Sequence, residues 1–262
     1  MKIGILDALS SPDLTHVKWH GSTAGTYIHF LKGANAPFTY AVYDVSGGEF
    51  PTAVEECDAY LITGSRKGTY DDEAWIGRLM QFVRSCYQAG KKMVGICFGH
   101  QLLAQALGGR SEKSDKGWGL GLKTFDVVST KPWMNGRPAQ CSLYFSHQDQ
   151  VVRLPAGAER LGGSAFCENA LFSLDGQVLG IQGHPEFTTG IMQAILSKPK
   201  ESAPLELHET AVRSLENGRP DNDLVAHWSV NFLKGQITSP EIDPSYSGRG
   251  DAGVCHKITR IR

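Results

Sequence analysis

Apolar and polar positions change period several times along this chain. Short β-prone runs at 2–6 (KIGIL), 38–43 (FTYAVY), 58–63 (DAYLIT) and 91–97 (KKMVGIC) are each bounded by turn residues. Between them the period lengthens to that of a helix. Over 72–89 the pairs Trp75/Ile76, Leu79/Met80, Phe82/Val83 and Cys86/Tyr87 recur three to four residues apart, forming one apolar helix face. Asp71 and Asp72 favour its start and Gly90 its end. Residues 22–34 and 99–107 also read as helical. Strand alternating with helix predicts βα units around a parallel sheet with both faces covered.

The middle of the chain reads differently. Segments 120–128, 141–147, 160–167 and 170–183 read as successive strands with few helices between them, which predicts a smaller antiparallel section. Helical spacing returns at 188–197, 205–217 and 221–234. The last stretch is rich in Gly, Pro and Ser. The expectation is one α/β domain over 1–235 followed by an extended tail over 236–262, with no internal repeat.

Composition narrows the classes. Hydrophobic residues make up 41% of the 262 positions and charged ones 20%, the balance of a globular chain with a sizeable core. A formal net charge of −1 gives no electrostatic reason to expect nucleic acid or a membrane surface as partner. No apolar run approaches the ~18 residues of a membrane span. The opening MKIGILDAL is too short for a signal-peptide core and reads as a first strand, so the expected location is cytoplasmic. Six cysteines, at 57, 86, 97, 141, 167 and 255, lack a CxxC pair or zinc spacing, so reduced thiols and no metal are expected. Neither GxxxxGK[ST] nor GxGxxG with a well-placed acidic residue occurs, so no nucleotide cofactor is expected.

One cysteine stands apart. In MVGICFGHQLLAQALGG a strand feeds a helix through Gly95-Ile96-Cys97-Phe98-Gly99, the G-x-nucleophile-x-G arrangement. A nucleophile there sits on a sharp turn and projects into a cleft, while flanking glycines let helix and strand pass closely. The N–H of Phe98 then points toward a reacting carbonyl as half of an oxyanion hole. A helix N-terminus also favours thiolate. A buried inert cysteine is the competing reading, so a partner base is required.

LGIQGHPEF supplies one. Pro185 keeps His184 out of the helical region. In an extended segment Glu186 would share a side with His184 and orient its imidazole, leaving His184 to take the thiol proton. Two other readings stay open. Cys97, Asp149 and His184 are in the order of a cysteine α/β-hydrolase acting on an ester or lactone. The chain could also be a non-catalytic binding scaffold, although it retains Cys97, His184 and Glu186.

GICFGHQLLAQALGG together with GIQGHPEF resembles the class I (triad-type) glutamine amidotransferases, in particular free-standing GMP-synthetase-like members that include γ-glutamyl peptidases. LITGSRKGTYDDEAWI and YFSHQDQVVRLP are similar to the corresponding family segments, and the likeness extends over 1–197 and on to about 235. It implies a flavodoxin-like α/β fold, with a mostly parallel central sheet flanked by helices. It implies Cys97 as nucleophile, His184 as base then acid, Glu186 as orienter, and a second oxyanion donor from Gly64 or Ser65. Gln101 matches a substrate-contacting glutamine, and Ser146, His147 and Gln148 match the segment that holds the amino-acid end of glutamine. His147 is expected to position or to pack. The implied ligand is glutamine or a γ-glutamyl small molecule. Ammonia transfer would require a separate synthase, since this chain holds no such domain.

Overall fold

The structure is a computed structural model, and it describes residues 1–9, 19–136, 138–197 and 203–236. The expected tail over 236–262, apart from Gln236, lies outside the described residues, as does Cys255.

A nine-stranded sheet runs in the order β2-β1-β3-β4-β11-β10-β9-β6-β7. β1 (Lys2–Asp7), β2 (Thr39–Asp44), β3 (Ala59–Ile62), β4 (Lys92–Ile96) and β11 (Val178–Ile181) are mutually parallel. The predicted antiparallel section follows. β6 (Gly119–Val127), β7 (Gln140–His147), β9 (Glu159–Gly163) and β10 (Leu171–Leu174) pair antiparallel with their neighbours.

Two expectations are corrected. The run 170–183, read as one strand, is the hairpin of β10 and β11. Asp175 and Gly176 both take positive φ at its turn, as a tight hairpin requires. A separate two-stranded sheet joins β5 (Arg110–Lys113) to β8 (Asp149–Arg153), which the hydrophobic pattern did not predict.

Helices cover both faces. α1 (Thr23–Gly33) and α6 (Asn222–Lys234) enclose one core with Tyr27, Phe30, Leu31, Trp228 and Phe232. On the other face α2 (Ala74–Gln88) and α3 (Phe98–Ala106) bury Ile76, Leu79, Val83, Phe98 and Leu102. α2 buries its predicted apolar side and ends at Gly90, whose φ of +71 fits a left-handed cap. α4 (Thr189–Ile195) and α5 (Leu205–Asn217) form a smaller core with Leu120, Tyr144 and Phe187.

The arrangement matters for one reason. β3, β4 and β11 are adjacent and parallel, so their C-terminal ends open on the same side. The chain leaves them through Thr63-Gly64-Ser65, through Cys97, and through Gln182-Gly183-His184. Ligands collect at such strand ends in open α/β sheets.

Candidate active site

Cys97 stands between β4 and α3 with φ 54° and ψ −105°, a conformation that a side-chain-bearing residue rarely adopts. Such strain costs on the order of 1–3 kcal/mol and persists only where the surroundings enforce it. They do so here. The Cys97 N–H donates to the Ile181 carbonyl at 2.9 Å, and Gly99 N–H donates to the Thr63 carbonyl at 3.1 Å. A Cβ on Gly95 would fall 2.4 Å from the Gly99 backbone, and one on Gly99 would fall 2.3 Å from the Ile62 oxygen. The two glycines are therefore what lets α3 press onto β3 and β4 and hold the thiol at the corner. Phe98 opens the helix, where an N–H has no intrahelical acceptor.

His184 is brought to the thiol from β11. Its N–H donates to the Tyr144 carbonyl at 2.8 Å, an isolated bridge that draws β7 toward the site. The segment does not stay extended as expected. Phe187 N–H returns to the His184 carbonyl, so residues 184–187 form a turn with Pro185 at its second position, a place that suits its fixed φ. That turn swings Glu186 back onto the imidazole, and His184 Nδ1 meets Glu186 Oε1 at 2.7 Å. Phe187 stacks on the same ring, with centroids 4.1 Å apart and planes 4° from parallel. The imidazole and the Cys97 side chain flank the same point beside Gly64, close enough for the sulfur to act electrostatically on the ring.

Electrostatics follow from this packing. Burial pushes the His184 imidazole toward neutrality, but the Glu186 carboxylate and the Cys97 sulfur outweigh it and raise it to about 10. This histidine is therefore able to hold a proton taken from sulfur. Three other thiols are set by their burial. Burial pushes Cys86 and Cys167 up to about 12 and Cys141 well above the usual thiol range, which keeps them protonated and unreactive.

Other candidate residues fall around this row. Gly64 lies at the heart of it, since a Cβ there would approach His184 Cε1 at 3.3 Å and Cys97 Cβ at 3.8 Å. Its N–H, however, donates to the Tyr27 hydroxyl at 2.8 Å. Gln101 is buried, and its amide nitrogen donates to the Asp149 carbonyl at 2.8 Å and to Gln182 Oε1 at 3.1 Å, so that nitrogen serves internal packing. Ser146 and His147 end β7 past the Tyr144 bridge, and Gln148, just beyond it, accepts the Ser114 N–H through its carbonyl. Asp149 does not reach the imidazole. Its carboxylate lies beside the Tyr70 ring, and burial raises its pKa. Glu186 holds His184, which removes support from the ester-hydrolase ordering. Among the described residues no group of three or more His, Cys, Asp or Glu side chains is placed to hold a metal ion.

Two buried histidines near this row are neutral. His147 Nδ1 faces the Asp149 carbonyl at 2.9 Å while its Nε2 is buried without a partner, and burial lowers both His147 and His100 to about 3. In the unfolded chain a histidine titrates near ~6.5. Between those values the unfolded state binds more protons, so stability is full above ~6.5 and is lost as pH falls toward 3. Urea unfolding between pH 6 and 4 is expected to show a shallower loss for His147→Gln than for the unsubstituted chain, by up to ~1.4 kcal/mol per pH unit. Equal slopes would mean that His147 is protonated in the fold.

Tyr27, Gln182 and Phe187 join the site without a sequence signal of their own. Tyr27 sits in a helix whose pattern reads simply as core, while Gln182 and Phe187 flank His184 inside the LGIQGHPEF motif, where neither is singled out.

The family model for glutamine amidotransferase class-I matches residues 36–199. Gamma-glutamyl peptidase 3 of Arabidopsis thaliana is 30% identical over 204 residues, which cover 74% of this chain and 82% of the peptidase. One subunit of the glutamine-hydrolyzing GMP synthase of Sulfolobus acidocaldarius is 31% identical over 134 residues, 51% of this chain and 69% of that polypeptide. The crystal structure of a glutamine amidotransferase from Thermotoga maritima superposes with a TM-score of 0.69 at 22% identity, covering 89% of this chain and 98% of that one, a likeness of fold.

Proposed function

The chain belongs to the class I glutamine amidotransferase family, and from that premise we propose that it hydrolyses the γ-glutamyl amide bond of a small molecule through Cys97, His184 and Glu186. The observation that carries this reading is the convergence at neighbouring strand ends of the strained Cys97 corner and of His184, which Glu186 holds at 2.7 Å, around the one point beside Gly64.

The steps follow from the row. His184 holds the proton of Cys97, and the sulfur attacks the γ-carbonyl carbon. The carbonyl electron pair moves onto oxygen, and that charge is met by the N–H groups of Phe98 and Ser65. Gly64 is set aside as a donor because its N–H is engaged by Tyr27. Collapse breaks the carbon–nitrogen bond as His184 protonates the leaving nitrogen, which departs as ammonia or an amine. A γ-glutamyl thioester remains on Cys97. Water then adds to it, His184 takes the water proton, and the carbon–sulfur bond breaks to release a γ-carboxylate and restore the thiol. Each oxyanion donor in such a site is worth ~10²–10³ in rate. Glu186 keeps the imidazole in the working tautomer and stabilises it when charged.

The peptidase relatives favour a self-sufficient hydrolase of γ-glutamyl compounds, and the GMP synthase relative favours ammonia delivery to a separate synthase. The first is preferred, because the peptidase likeness spans more of both chains. The purified chain alone, given L-glutamine, a γ-glutamyl dipeptide and γ-glutamyl-p-nitroanilide, is expected to release glutamate from the last two at rates at least tenfold above glutamine. Glutamine hydrolysis that rises only when a synthase is added would favour the second reading. Release from none of the three, together with a Cys97 that no glutamine-like electrophile labels, would leave only a binding scaffold.

A further inference from the structure

The hydroxyl of Tyr27 is buried inside the row yet has no place in the steps above. It comes from α1, whose start is held by Ser22 accepting the Gly25 N–H at 2.9 Å. It accepts the Gly64 N–H at 2.8 Å and is close enough to the Glu186 carboxylate to feel its charge. A hydroxyl that accepts one hydrogen bond still has its own proton to donate. Glu186 has a matching need. Its Oε1 serves His184, while Oε2 is buried with no hydrogen-bond partner among the described residues. A buried carboxylate oxygen left so is costly, and a hydroxyl donor to it makes a strong, charge-assisted bond. Burial and then the Glu186 charge push the phenol well above its usual value, so the hydroxyl keeps that proton.

We propose that Tyr27 is a positioning residue that clamps two parts of the site at once. Its O–H fixes the Glu186 carboxylate against His184, and its oxygen fixes the Gly64 peptide so that the next N–H, that of Ser65, faces the reacting carbonyl. This role rests on the triad reading given above. One side chain then links the orientation of the base to the shape of the oxyanion hole, two features supplied by strands that are not sequence neighbours.

The test is Tyr27→Phe, alone and in a Glu186→Gln background, with γ-glutamyl-p-nitroanilide as substrate. Alone, the substitution is expected to lower kcat ~10–100-fold with KM changed less than about threefold, the split expected when a group acts through others rather than on substrate. With Glu186→Gln already present, the same change is expected to cost several-fold less than it does alone, because the carboxylate it positions is gone and only its hold on Gly64 remains to be lost. Losses that multiply across the two variants, or an unchanged kcat in Tyr27→Phe, overturn the proposal. A second readout needs no substrate. The rate at which iodoacetamide alkylates Cys97 is expected to fall about tenfold in Tyr27→Phe, and not to fall further when Tyr27→Phe is added to Glu186→Gln. If the unsubstituted chain turns over no γ-glutamyl compound, the proposed function fails, while the alkylation comparison still decides the role of Tyr27. Equal alkylation rates with and without the hydroxyl also overturn it.

Discussion

Cys97→Ala is expected to remove γ-glutamyl hydrolysis altogether, a loss of at least ~10⁴-fold measured as glutamate released from γ-glutamyl-p-nitroanilide. The expectation follows from the division of labour in the row. Without sulfur no bond to the γ-carbon forms, and neither His184 nor the helix-start N–H groups supply a substitute nucleophile. Glu186→Gln is expected to be milder, losing ~10²–10⁴-fold, because the amide still contacts the ring but cannot stabilise its charged form. Asp149→Asn is expected to stay within about tenfold of the unsubstituted rate, since its carboxylate faces Tyr70 and not His184. Turnover by Cys97→Ala at more than a hundredth of the original rate, or a larger loss from Asp149→Asn than from Glu186→Gln, would remove the mechanism.

The same position tests whether the corner is held under strain. Alanine keeps a Cβ at φ 54°, whereas glycine adopts that backbone freely. Cys97→Gly is therefore expected to be inactive yet more stable than Cys97→Ala by about 1 kcal/mol, the strain relieved less the added freedom of the unfolded chain. Stability given up at one residue in order to aim its side chain is a mark of a functional position. Lower stability in the glycine variant would mean that the corner is relaxed.

Legibility in the sequence tracks how local each constraint is. The cysteine corner is readable because Gly95, Cys97 and Gly99 act on one another within five positions. The pairing of His184 with Glu186 is readable as an outcome but not in its path, since a turn at Pro185 and not an extended strand brings them together. The β10–β11 hairpin carried a usable signal in Asp175-Gly176, which the long apolar run around it hid. β5 gave none. Of Arg110–Lys113 only Ser111 is buried, so no hydrophobic alternation marks the strand, and its partner β8 is remote in the chain. Tyr27 is the clearest case of information that periodicity does not carry. Spacing places it on the buried face of α1, where an aromatic ring reads as core, and nothing local shows that its hydroxyl accepts the Gly64 N–H beside His184.

Gly99→Ala and Gly77→Ala, the same change in two helices, are expected to move stability in opposite directions. Gly77 lies on the exposed side of α2 with nothing within 4 Å of an added Cβ, so alanine there gains helix propensity and stabilises by ~0.5–1 kcal/mol. At Gly99 the same propensity gain meets the Ile62 carbonyl oxygen at 2.3 Å and the Ile62 carbonyl carbon at 2.9 Å. Those are backbone atoms of β3, held by its pairing with β1 and β4, and they cannot rotate away as a side chain would. The helix must lift instead. Lifting it lengthens the Gly99-to-Thr63 hydrogen bond and opens the packing of Phe98, Leu102 and Leu103, so a net destabilisation of ~2–4 kcal/mol is expected by urea unfolding. Activity should fall further than the folded fraction does. The sulfur of Cys97 and the N–H of Phe98 ride on that first turn, and a displacement of about 1 Å at a catalytic group can cost ~10²-fold. A Gly99→Ala variant as stable and as active as the unsubstituted chain would show that α3 does not press on the sheet, and the account of why the thiol stands where it does would fail with it.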